Sequence, residues 1–480
     1  MEQNQKFREE SDLIGKKNVP SDALYGINAL RAIENFKISG KLMSEYPNLI
    51  KGFAIIKKSA AQANNDLGIL TKEKKDLIIK ACDELYEGKH SEQFPIDMIQ
   101  GGAGTSCNMC VNEVIANRAL QLLGKQLGDY RFCSPHDDVN RSQSTNDVYP
   151  SACKLGIYFE NQYLEKTLEK LIESLDKKKE EFKNVIKIGR TQMQDAVPMT
   201  LGQTFGAYSS SIKDGLYNIR EVSKQLLTVN MGATAIGTGI CSEPGYCEKI
   251  IEYIKKNTGL EIKLSEDLIY ATSDSSGFVN YSSSLKNLSL KLIKICNDLR
   301  LLSSGPRCGI GEIMLPKAQP GSSIMPGKVN PVIPEVVQQV CYKVIGNDTT
   351  VMLGSENAQL ELNAFEPVMV YSIFESIELL INGINTLIER CINGIEVDEK
   401  RCHSLMQHST TIVTAFNPYI GYKASTELSK ECLERDMGIY DLILEKKILT
   451  KEQVDLILKP ENLIKPIKLN IETGKKEEKK

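Results

Sequence analysis

The stretch LKNLSLKLIKICNDLRLL, residues 285–302, decides the fold that the sequence predicts. Its apolar side chains recur at alternating intervals of three and four residues, at Leu285, Leu288, Leu292, Ile295, Leu299 and Leu302. An apolar stripe that repeats about every 3.5 residues is typical of helices packed nearly parallel in a long bundle. The stretch therefore predicts one long helix of such a bundle.

Two further segments carry the same spacing. Their apolar positions are Leu164, Leu168, Leu171 and Leu175 in one, and Ile373, Ile377, Leu380, Ile384, Leu387 and Cys391 in the other. Another helix is predicted over Leu201–Leu227 and a fifth from Pro334, because proline suits a first helical position. We expect a mainly α fold with a long central helix bundle.

The length of the chain predicts more than one domain. At 480 residues it exceeds what one hydrophobic core usually serves. We expect an N-terminal mixed, mainly helical domain over residues 1–144 and the central long-helix bundle over residues 145–397. A small C-terminal helical domain over residues 398–480 would end in a disordered tail, since Thr473–Lys480 is nearly all Gly, Lys and Glu.

Composition limits the partners and the compartment. The net charge of −3 gives no electrostatic footprint for nucleic acid or an anionic membrane. Residues 1–12 are polar and lack the apolar core of a signal peptide. The 13 cysteines are therefore expected to be free thiols in a reducing, cytoplasmic compartment.

The segment GSSIMPGKVN, residues 321–330, is predicted to be a functional loop. Its glycines and proline disfavour a helix or a buried strand. Small hydroxyls, a lysine and a following helix N-terminus together suit an anion. If one serine loses its proton there, it becomes a base.

Several segments together resemble the aspartase/fumarase superfamily, the lyases that release fumarate. The matching segments are 101–106, 112–119, 142–147, 189–196, 271–274, 321–330 and 344–350. The similarity extends from about Asp12 to about Pro466, which is nearly the whole chain. Residues 30–36 and 330–335 are closer to the branch that removes ammonia from aspartate than to the fumarases.

This resemblance implies the architecture, the assembly and the cofactors. It implies a three-domain aspartase/fumarase-like fold and a homotetramer, with each active site drawn from three subunits. It implies L-aspartate, fumarate and ammonia as reactants, and no required organic cofactor. A divalent cation such as Mg²⁺ is a possible activator, and its ligands stay unidentified.

The resemblance also implies roles for particular residues. Ser322 is expected to be the catalytic base, acting by β-elimination through an aci-carboxylate intermediate. The hydroxyl donors expected at the β-carboxylate are Thr105, Ser144, Thr145 and Ser323. The residues expected at the α-carboxylate are Thr191, Lys328 and Asn330. Asn146 and Gln192 are expected to contact the amino group.

Position 192 bears on the choice of substrate. Fumarases carry His there, because expelling hydroxide from malate needs a proton delivered to the leaving group. An ammonium is already protonated, so a neutral amide that hydrogen-bonds it is enough. Gln192 therefore favours aspartate. A fumarate hydratase acting on L-malate, or an inactive structural scaffold, remains the alternative.

The C-x-x-C pair of Cys107 and Cys110 permits a zinc or redox interpretation. A structural zinc site needs about four ligands, and no second pair or nearby His completes one. We expect both thiols to face a packed interior.

Overall fold

The computed structural model describes residues 6–463 and 465–471, and within them the chain is mainly helical with short strands. The prediction of a mainly α fold is confirmed. The tail predicted at Thr473–Lys480 lies outside the described residues.

The helices and strands of the described residues are numbered here in chain order. The helices are α1 (Ile27–Asn35), α2 (Pro47–Asp66), α3 (Lys72–Tyr86), α4 (Thr105–Leu122), α5 (Thr145–Glu181), α6 (Leu201–Ser223), α7 (Tyr246–Thr258), α8 (Leu268–Ser273), α9 (Ser276–Leu302), α10 (Val332–Glu356), α11 (Glu366–Arg390), α12 (Glu399–His408), α13 (Asn417–Ile420), α14 (Tyr422–Arg435), α15 (Ile439–Glu445), α16 (Lys451–Ile457) and α17 (Pro460–Leu463). The strands are β1 (Phe7–Asp12), β2 (Gly15–Pro20), β3 (Ile186–Thr191), β4 (Gln194–Thr200), β5 (Thr228–Val229), β6 (Lys263–Leu264), β7 (Ile313–Met314) and β8 (Glu396–Val397). They pair as β1–β2, β3–β4 and β7–β8 antiparallel and β5–β6 parallel.

The predicted long helices are α5, α6, α9, α10 and α11, of 37, 23, 27, 25 and 25 residues. The apolar positions of the three repeats are buried in α5, α9 and α11, and Cys391 lies one residue beyond the end of α11. Burial of the whole stripe explains the period, since only one face of each helix has to avoid water.

The start of α10 corrects one prediction. The helix begins at Val332, two residues before Pro334. The N–H groups of a first turn have no partner within the helix, so a proline is tolerated at its third position as well as its first.

The chain divides into two compact units. The first contains the described residues up to Lys166 together with Gly215–Leu290 and Val340–Asn382. Within it, Tyr281 of α9 donates to Asn161 of α5 at 2.8 Å. Asn347 of α10 donates to Ser376 of α11 at 3.0 Å. Buried polar bonds therefore tie these long helices together inside the unit.

The second unit contains Thr167–Asp214, Lys291–Gln339 and the described residues from Gly383 onward. Tyr208 of α6 donates to Asp298 of α9 at 2.8 Å, and Arg300 of α9 donates to Gln338 of α10 at 2.7 Å. Residues of α12 to α16 add a separate apolar core around Phe416. The domain bounds predicted at residues 144 and 397 stay a prediction.

One helix in the described part of the chain, Glu366–Gly394, is long and apolar enough to cross a membrane by length and composition. Its apolar window is 61% buried. A buried core helix passes the same test, so this is weak evidence for a membrane span.

Candidate active site

The start of α5 carries three of the predicted binding residues. Ser144 Oγ accepts a hydrogen bond from the backbone N–H of Asn146 at 3.3 Å. Asp147 Oδ1 in turn accepts from the backbone N–H of Ser144 at 3.0 Å. Ser144 therefore caps the helix, and Thr145 is its first residue. The partial positive charge of this helix end favours a carboxylate.

A second segment of the same unit holds this helix start in place. Asp147 Oδ2 accepts from the backbone N–H groups of Gly232 at 3.1 Å and Thr234 at 3.0 Å. Burial raises the pKa of Asp147 to about 7. The side-chain amide of Asn146 donates to Ala235 O at 2.7 Å, which leaves the amide oxygen as the end that can accept from an ammonium.

A buried polar network reaches Thr145 from α2 and α4. Lys57 Nζ donates to Asn140 Oδ1 and to Gln143 Oε1, both at 3.0 Å. Asn108 Nδ2 donates to Asn140 Oδ1 at 3.2 Å and to Thr145 Oγ1 at 3.1 Å. Sequence reasoning missed this network. Its one local signal in the sequence is a lysine that directly follows the apolar stretch 53–56 of α2.

Thr105 is the first residue of α4 and follows a turn that needs glycine. Gly102, Ala103 and Gly104 all have positive φ, at 91°, 52° and 86°. A Cβ atom on Gly104 would lie 2.3 Å from the ring of Tyr149, a side chain of α5. Thr105 is exposed, and its hydroxyl donates to Gly102 O at 2.8 Å.

The first unit therefore brings together the predicted residues at the starts of α4 and α5. The glycine turn before Thr105 packs on Tyr149, and Asn108 of α4 bonds Thr145 of α5. Asn112 of the 112–119 segment and Thr145 of the 142–147 segment thus belong to one polar cluster, whereas the Thr105 hydroxyl bonds only within its own turn.

The β3–β4 hairpin of the second unit presents Thr191 and Gln192. Thr191 pairs with Gln194, so the loop has two residues, Gln192 and Met193. Both have positive φ, at 53° and 66°, as a tight type I′ turn requires. Neither is glycine, so the turn carries strain of about 1–3 kcal/mol per residue, which is common at ligand-binding sites. Thr191 and Gln192 are exposed.

A buried carboxylate anchors this hairpin. Glu312 is fully buried and pairs with Arg190 at 2.8 Å and with Lys187 at 3.2 Å. Both cations belong to β3. Charge pairs on β3, which the sequence pattern did not predict, therefore stabilise the hairpin that carries the strained turn.

The loop at residues 321–330 is organised around the hydroxyl of Ser322. Ser322 Oγ accepts the backbone N–H groups of Ile324 at 3.1 Å and Met325 at 2.8 Å. Two amide donors aimed at one oxygen stabilise negative charge on it. Ser323 is exposed beside it, and Ile324 is 82% exposed.

The base of the loop is closed by Gly321 and Asn330. The backbone N–H of Gly321 donates to Lys328 O at 2.8 Å, and Asn330 Nδ2 donates to Gly321 O at 2.8 Å. A Cβ atom on Gly321 would lie 2.8 Å from Lys328 O and from Asn330 N, so this position requires glycine. Lys328 is exposed and forms no ion pair among residues 6–463 and 465–471, which leaves its charge available to a ligand.

The two site segments of the second unit are separate features of this chain. Within the part of the unit that the structure describes, no hydrogen bond joins the Gln192 turn to the 321–330 loop. The assignments of all ten predicted site residues stay predictions.

The thiols and the possible metal ligands give no second site. All 13 cysteines lie in the described part of the chain and are free. Cys107 and Cys110 are buried, as predicted, and burial raises the pKa of both thiols. No group of three or more His, Cys, Asp or Glu side chains in the described residues is arranged to hold a metal ion.

Two family models match the chain. A model described as lyase matches residues 15–346, and one described as fumarase C C-terminus matches residues 412–465.

Curated relatives match over nearly the full length. The aspartate ammonia-lyase of Helicobacter pylori (strain J99) is 52% identical over 460 residues, covering 96% of this chain and 98% of that protein. That of Pseudomonas aeruginosa is 51% identical, covering 96% and 97%, and that of Escherichia coli K12 is 48% identical, covering 96% of each.

Solved structures agree with the fold. The fumarate lyase:delta crystallin of Brucella melitensis bound to cobalt has a TM-score of 0.93 and 46% identity, and covers 96% of this chain and 100% of that chain. The class II fumarase of Schistosoma mansoni has a TM-score of 0.88 and 33% identity, and covers 95% and 98%.

Proposed function

The chain belongs to the aspartase/fumarase superfamily of lyases, and on that basis we propose that it catalyses the reversible deamination of L-aspartate to fumarate and ammonia. This is a carbon–nitrogen lyase reaction. The resemblance predicted from the sequence is confirmed by the family matches. The identities to aspartate ammonia-lyases, 48% to 52%, exceed the 33% identity to the class II fumarase.

The chemistry requires a base and a strong anion site. A proton leaves the carbon next to the β-carboxylate, and the electron pair becomes an aci-carboxylate with two negative charges on its oxygens. The C–N bond then breaks, ammonia departs and the C=C bond of fumarate forms. Hydrogen-bond donors at the β-carboxylate must bind more strongly in the transition state than in the ground state.

The hydroxyl donors for that carboxylate come from two helix starts and from the loop. Thr105 lies at the start of α4, and Ser144 and Thr145 lie at the start of α5. Ser323 comes from the 321–330 loop. The helix ends add backbone N–H groups and a partial positive charge that a doubly charged carboxylate needs.

One observation carries the choice of base: the hydroxyl oxygen of Ser322 already accepts two backbone amide bonds. A serine hydroxyl is a very weak acid, so its oxyanion needs fixed donors and a nearby cation. The amides of Ile324 and Met325 supply the donors, and the unpaired Lys328 supplies a charge on the same loop. Ser322 takes the proton from the substrate carbon.

The amino group is held by neutral amides. Gln192 is exposed on a strained turn, and the oxygen of Asn146 is the free end of its amide. An ammonium group needs only acceptors, whereas hydroxide leaving from malate needs a proton donor. This supports aspartate over malate.

The α-carboxylate is held by Thr191, Lys328 and Asn330. Lys328 provides the point charge. Asn330 uses one amide hydrogen to close the loop on Gly321 O, and its other hydrogen is the one available to substrate.

The protein assembles as a homotetramer in which each site takes its segments from three subunits. Large apolar side chains exposed on the long helices support an assembly through these faces: Tyr217, Leu290, Tyr342, Met352 and Leu353. Monomeric proteins rarely leave so many on adjacent elements.

No organic cofactor is needed for this mechanism, since a proton transfer and a bond cleavage complete it. The role proposed for a divalent cation such as Mg²⁺ is that of an activator only. The free thiols support a reducing, cytoplasmic compartment. Activity that persists in EDTA would support a cation that only activates, and complete loss of activity would show that a metal ion is required.

The test is to supply purified protein with L-aspartate and, separately, with L-malate, and to follow the ultraviolet absorbance of fumarate. The chain contains no Trp, which keeps the protein background low. Fumarate from aspartate alone is expected. Fumarate from malate alone would make the protein a fumarase, and no product from either would turn attention to an inactive scaffold.

A further inference from the structure

Lys57 of α2 is a buried cation that the proposed mechanism does not use. It is 0% exposed, and its ammonium donates to the side-chain oxygens of Asn140 and Gln143. An ammonium has three donors and no acceptor. Both partners must therefore turn an oxygen toward it.

The surroundings of Lys57 act on its charge in both directions. Burial lowers the pKa of Lys57 to about 7, and the attraction of Asp147 opposes that change. Its two neighbours are amide oxygens at 3.0 Å, which can only accept. Lys57 is therefore the donor in both bonds.

The Asn140 amide is held in one orientation from both of its ends. A side-chain amide rotated by 180° keeps its shape but exchanges its oxygen and its NH₂ group. Asn140 Oδ1 accepts from Lys57 at 3.0 Å, from Asn108 at 3.2 Å and from Asn112 at 3.1 Å. Asn140 Nδ2 donates to the backbone carbonyl of Gln143 at 3.1 Å, so Lys57 and this carbonyl favour the same orientation.

The observed direction leaves two amide oxygens without a bond. The side-chain oxygens of Asn108 and Asn112 are buried without a hydrogen-bond partner among the described residues. An unpaired buried acceptor costs about 1–3 kcal/mol. Lys57 and Gln143 O together oppose the reverse direction, since turning Asn140 would place its NH₂ group against Lys57 Nζ and its oxygen against the carbonyl.

The chain of bonds ends at a predicted substrate ligand. The second N–H of Asn108 donates to Thr145 Oγ1 at 3.1 Å. A hydroxyl oxygen that accepts this bond keeps its own hydrogen free, and the bond strengthens the hydroxyl as a donor. Thr145 is half-buried at the start of α5, where the β-carboxylate is proposed to bind.

We propose that Lys57 is a positioning residue that acts through Asn140 and Asn108 to orient the Thr145 hydroxyl as a donor to the substrate carboxylate. This inference rests on the proposed function, because it assigns a direction to a group of that same site. It places part of the origin of that direction in a buried lysine that is not among the predicted binding residues.

The test is a double-mutant cycle on kcat with L-aspartate, using Lys57→Met and the near-isosteric Thr145→Val. Lys57→Met is expected to lower kcat by about 10- to 100-fold, less than loss of a whole oxyanion donor. In the Thr145→Val background the same substitution is expected to have no further effect, because the hydroxyl that it orients is gone. An equal loss in both backgrounds would overturn the proposal.

A second variant covers the case in which Lys57→Met does not fold. Asn108→Leu removes the bond to Thr145 at the other end of the network, and it must show the same dependence on Thr145. An independent effect of Asn108→Leu would contradict the proposal by itself.

The matched control is Lys154→Met in α5. Lys154 is also a buried lysine, and it donates to Thr228 O at 2.9 Å without contacting the network. Its effect on kcat is expected to be the same with and without the Thr145 hydroxyl. An inactive wild-type protein would defeat the proposed function, whereas an active one with additive effects would defeat only the role of Lys57.

Discussion

At the scale of single residues, the role of each hydroxyl in the candidate site depends on the hydrogen bonds that it already makes within the protein. Ser322 Oγ is an acceptor of two amides, whereas the Thr105 hydroxyl donates to Gly102 O. The first arrangement suits an oxyanion. The second must open before Thr105 can donate to substrate, so the two hydroxyls are not equally prepared for their roles.

Ser322→Ala is predicted to lower kcat by about 10⁴-fold, the upper range for a general base. Ser323→Ala is the comparison, with an expected loss of about 10²- to 10³-fold for one anion donor. Because the amides released by Ser322→Ala lie in an exposed loop and can bind water, the unfolding midpoint should stay unchanged. Near-normal turnover by Ser322→Ala would remove Ser322 from the role.

At the scale of elements, short turns place the site residues and buried charges hold the turns. The Gln192 turn is anchored by Glu312, and the 321–330 loop is closed by Gly321 and Asn330. Helices α3 and α4 are joined by a pair between Glu84 and Arg118 at 2.5 and 2.9 Å. Each of these contacts predicts a measurable effect.

Gly321→Ala is predicted to reduce kcat about 100-fold by displacing the loop, since misplacement by about 1 Å can cost that much. Its new Cβ would lie 2.8 Å from two backbone atoms. Gly327→Ala is the matched control in the same loop. Its φ of 81° makes it strained, but its Cβ meets nothing within 4 Å, so it should keep most activity. Equal losses in steady-state kinetics would show that the closure at Gly321 is unimportant.

The Glu84–Arg118 pair predicts how stability depends on pH. The hydrogen bond from Arg118 lowers the pKa of Glu84 from 4.5 to about 2. A lowered folded-state pKa gives stability that is present above pH 4.5 and lost as the pH falls toward 2. It amounts to at most about 3 kcal/mol.

Arg118→Met should therefore unfold more easily than wild type in urea at pH 6, and the difference should shrink as the pH approaches 3. Arg131→Met, which breaks the exposed pair with Asp129, is the control and should differ little from wild type at either pH. If the difference in unfolding free energy between Arg118→Met and wild type does not depend on pH, Glu84 is not the group that titrates.

At the scale of the whole molecule, the proposal is that one chain does not complete the site by itself. Apolar side chains stay exposed on α6, α9 and α10, and Ile324 is exposed on the loop that has to exclude water. Assembly would cover the helix faces. It would also bring the Ser322 loop of one subunit to the α5 start of another.

Mixed tetramers test this composite site. Ser322→Ala and Thr145→Val, each nearly inactive alone, should regain roughly a quarter of wild-type activity when co-expressed, if subunits mix at random and the two residues come from different subunits. Sedimentation should give a tetramer for each variant and for the mixture. Mixtures as inactive as their parents would place both residues of a site in one subunit.

The sequence by itself determined the mainly α fold, the long helices and the family. Those features can be read from residues that are close in sequence. The apolar stripe from Leu285 to Leu302, for example, repeats at nearly the interval of one turn of an α-helix. The loop at residues 321–330 can likewise be predicted from its own glycines and proline. The start of α10 was missed by two residues because several first-turn positions accept proline equally.

Only the tertiary structure decided how these segments are held and which way their hydrogen bonds run. Lys57 and Asn140 are 83 positions apart, and Arg190 and Glu312 are 122 apart. No local period links such partners, and their pairing follows from the cost of burying a charge without one. The fold brings the partners together, and groups that can only donate or only accept, such as the Gln143 carbonyl, then set the direction of the bonds around them.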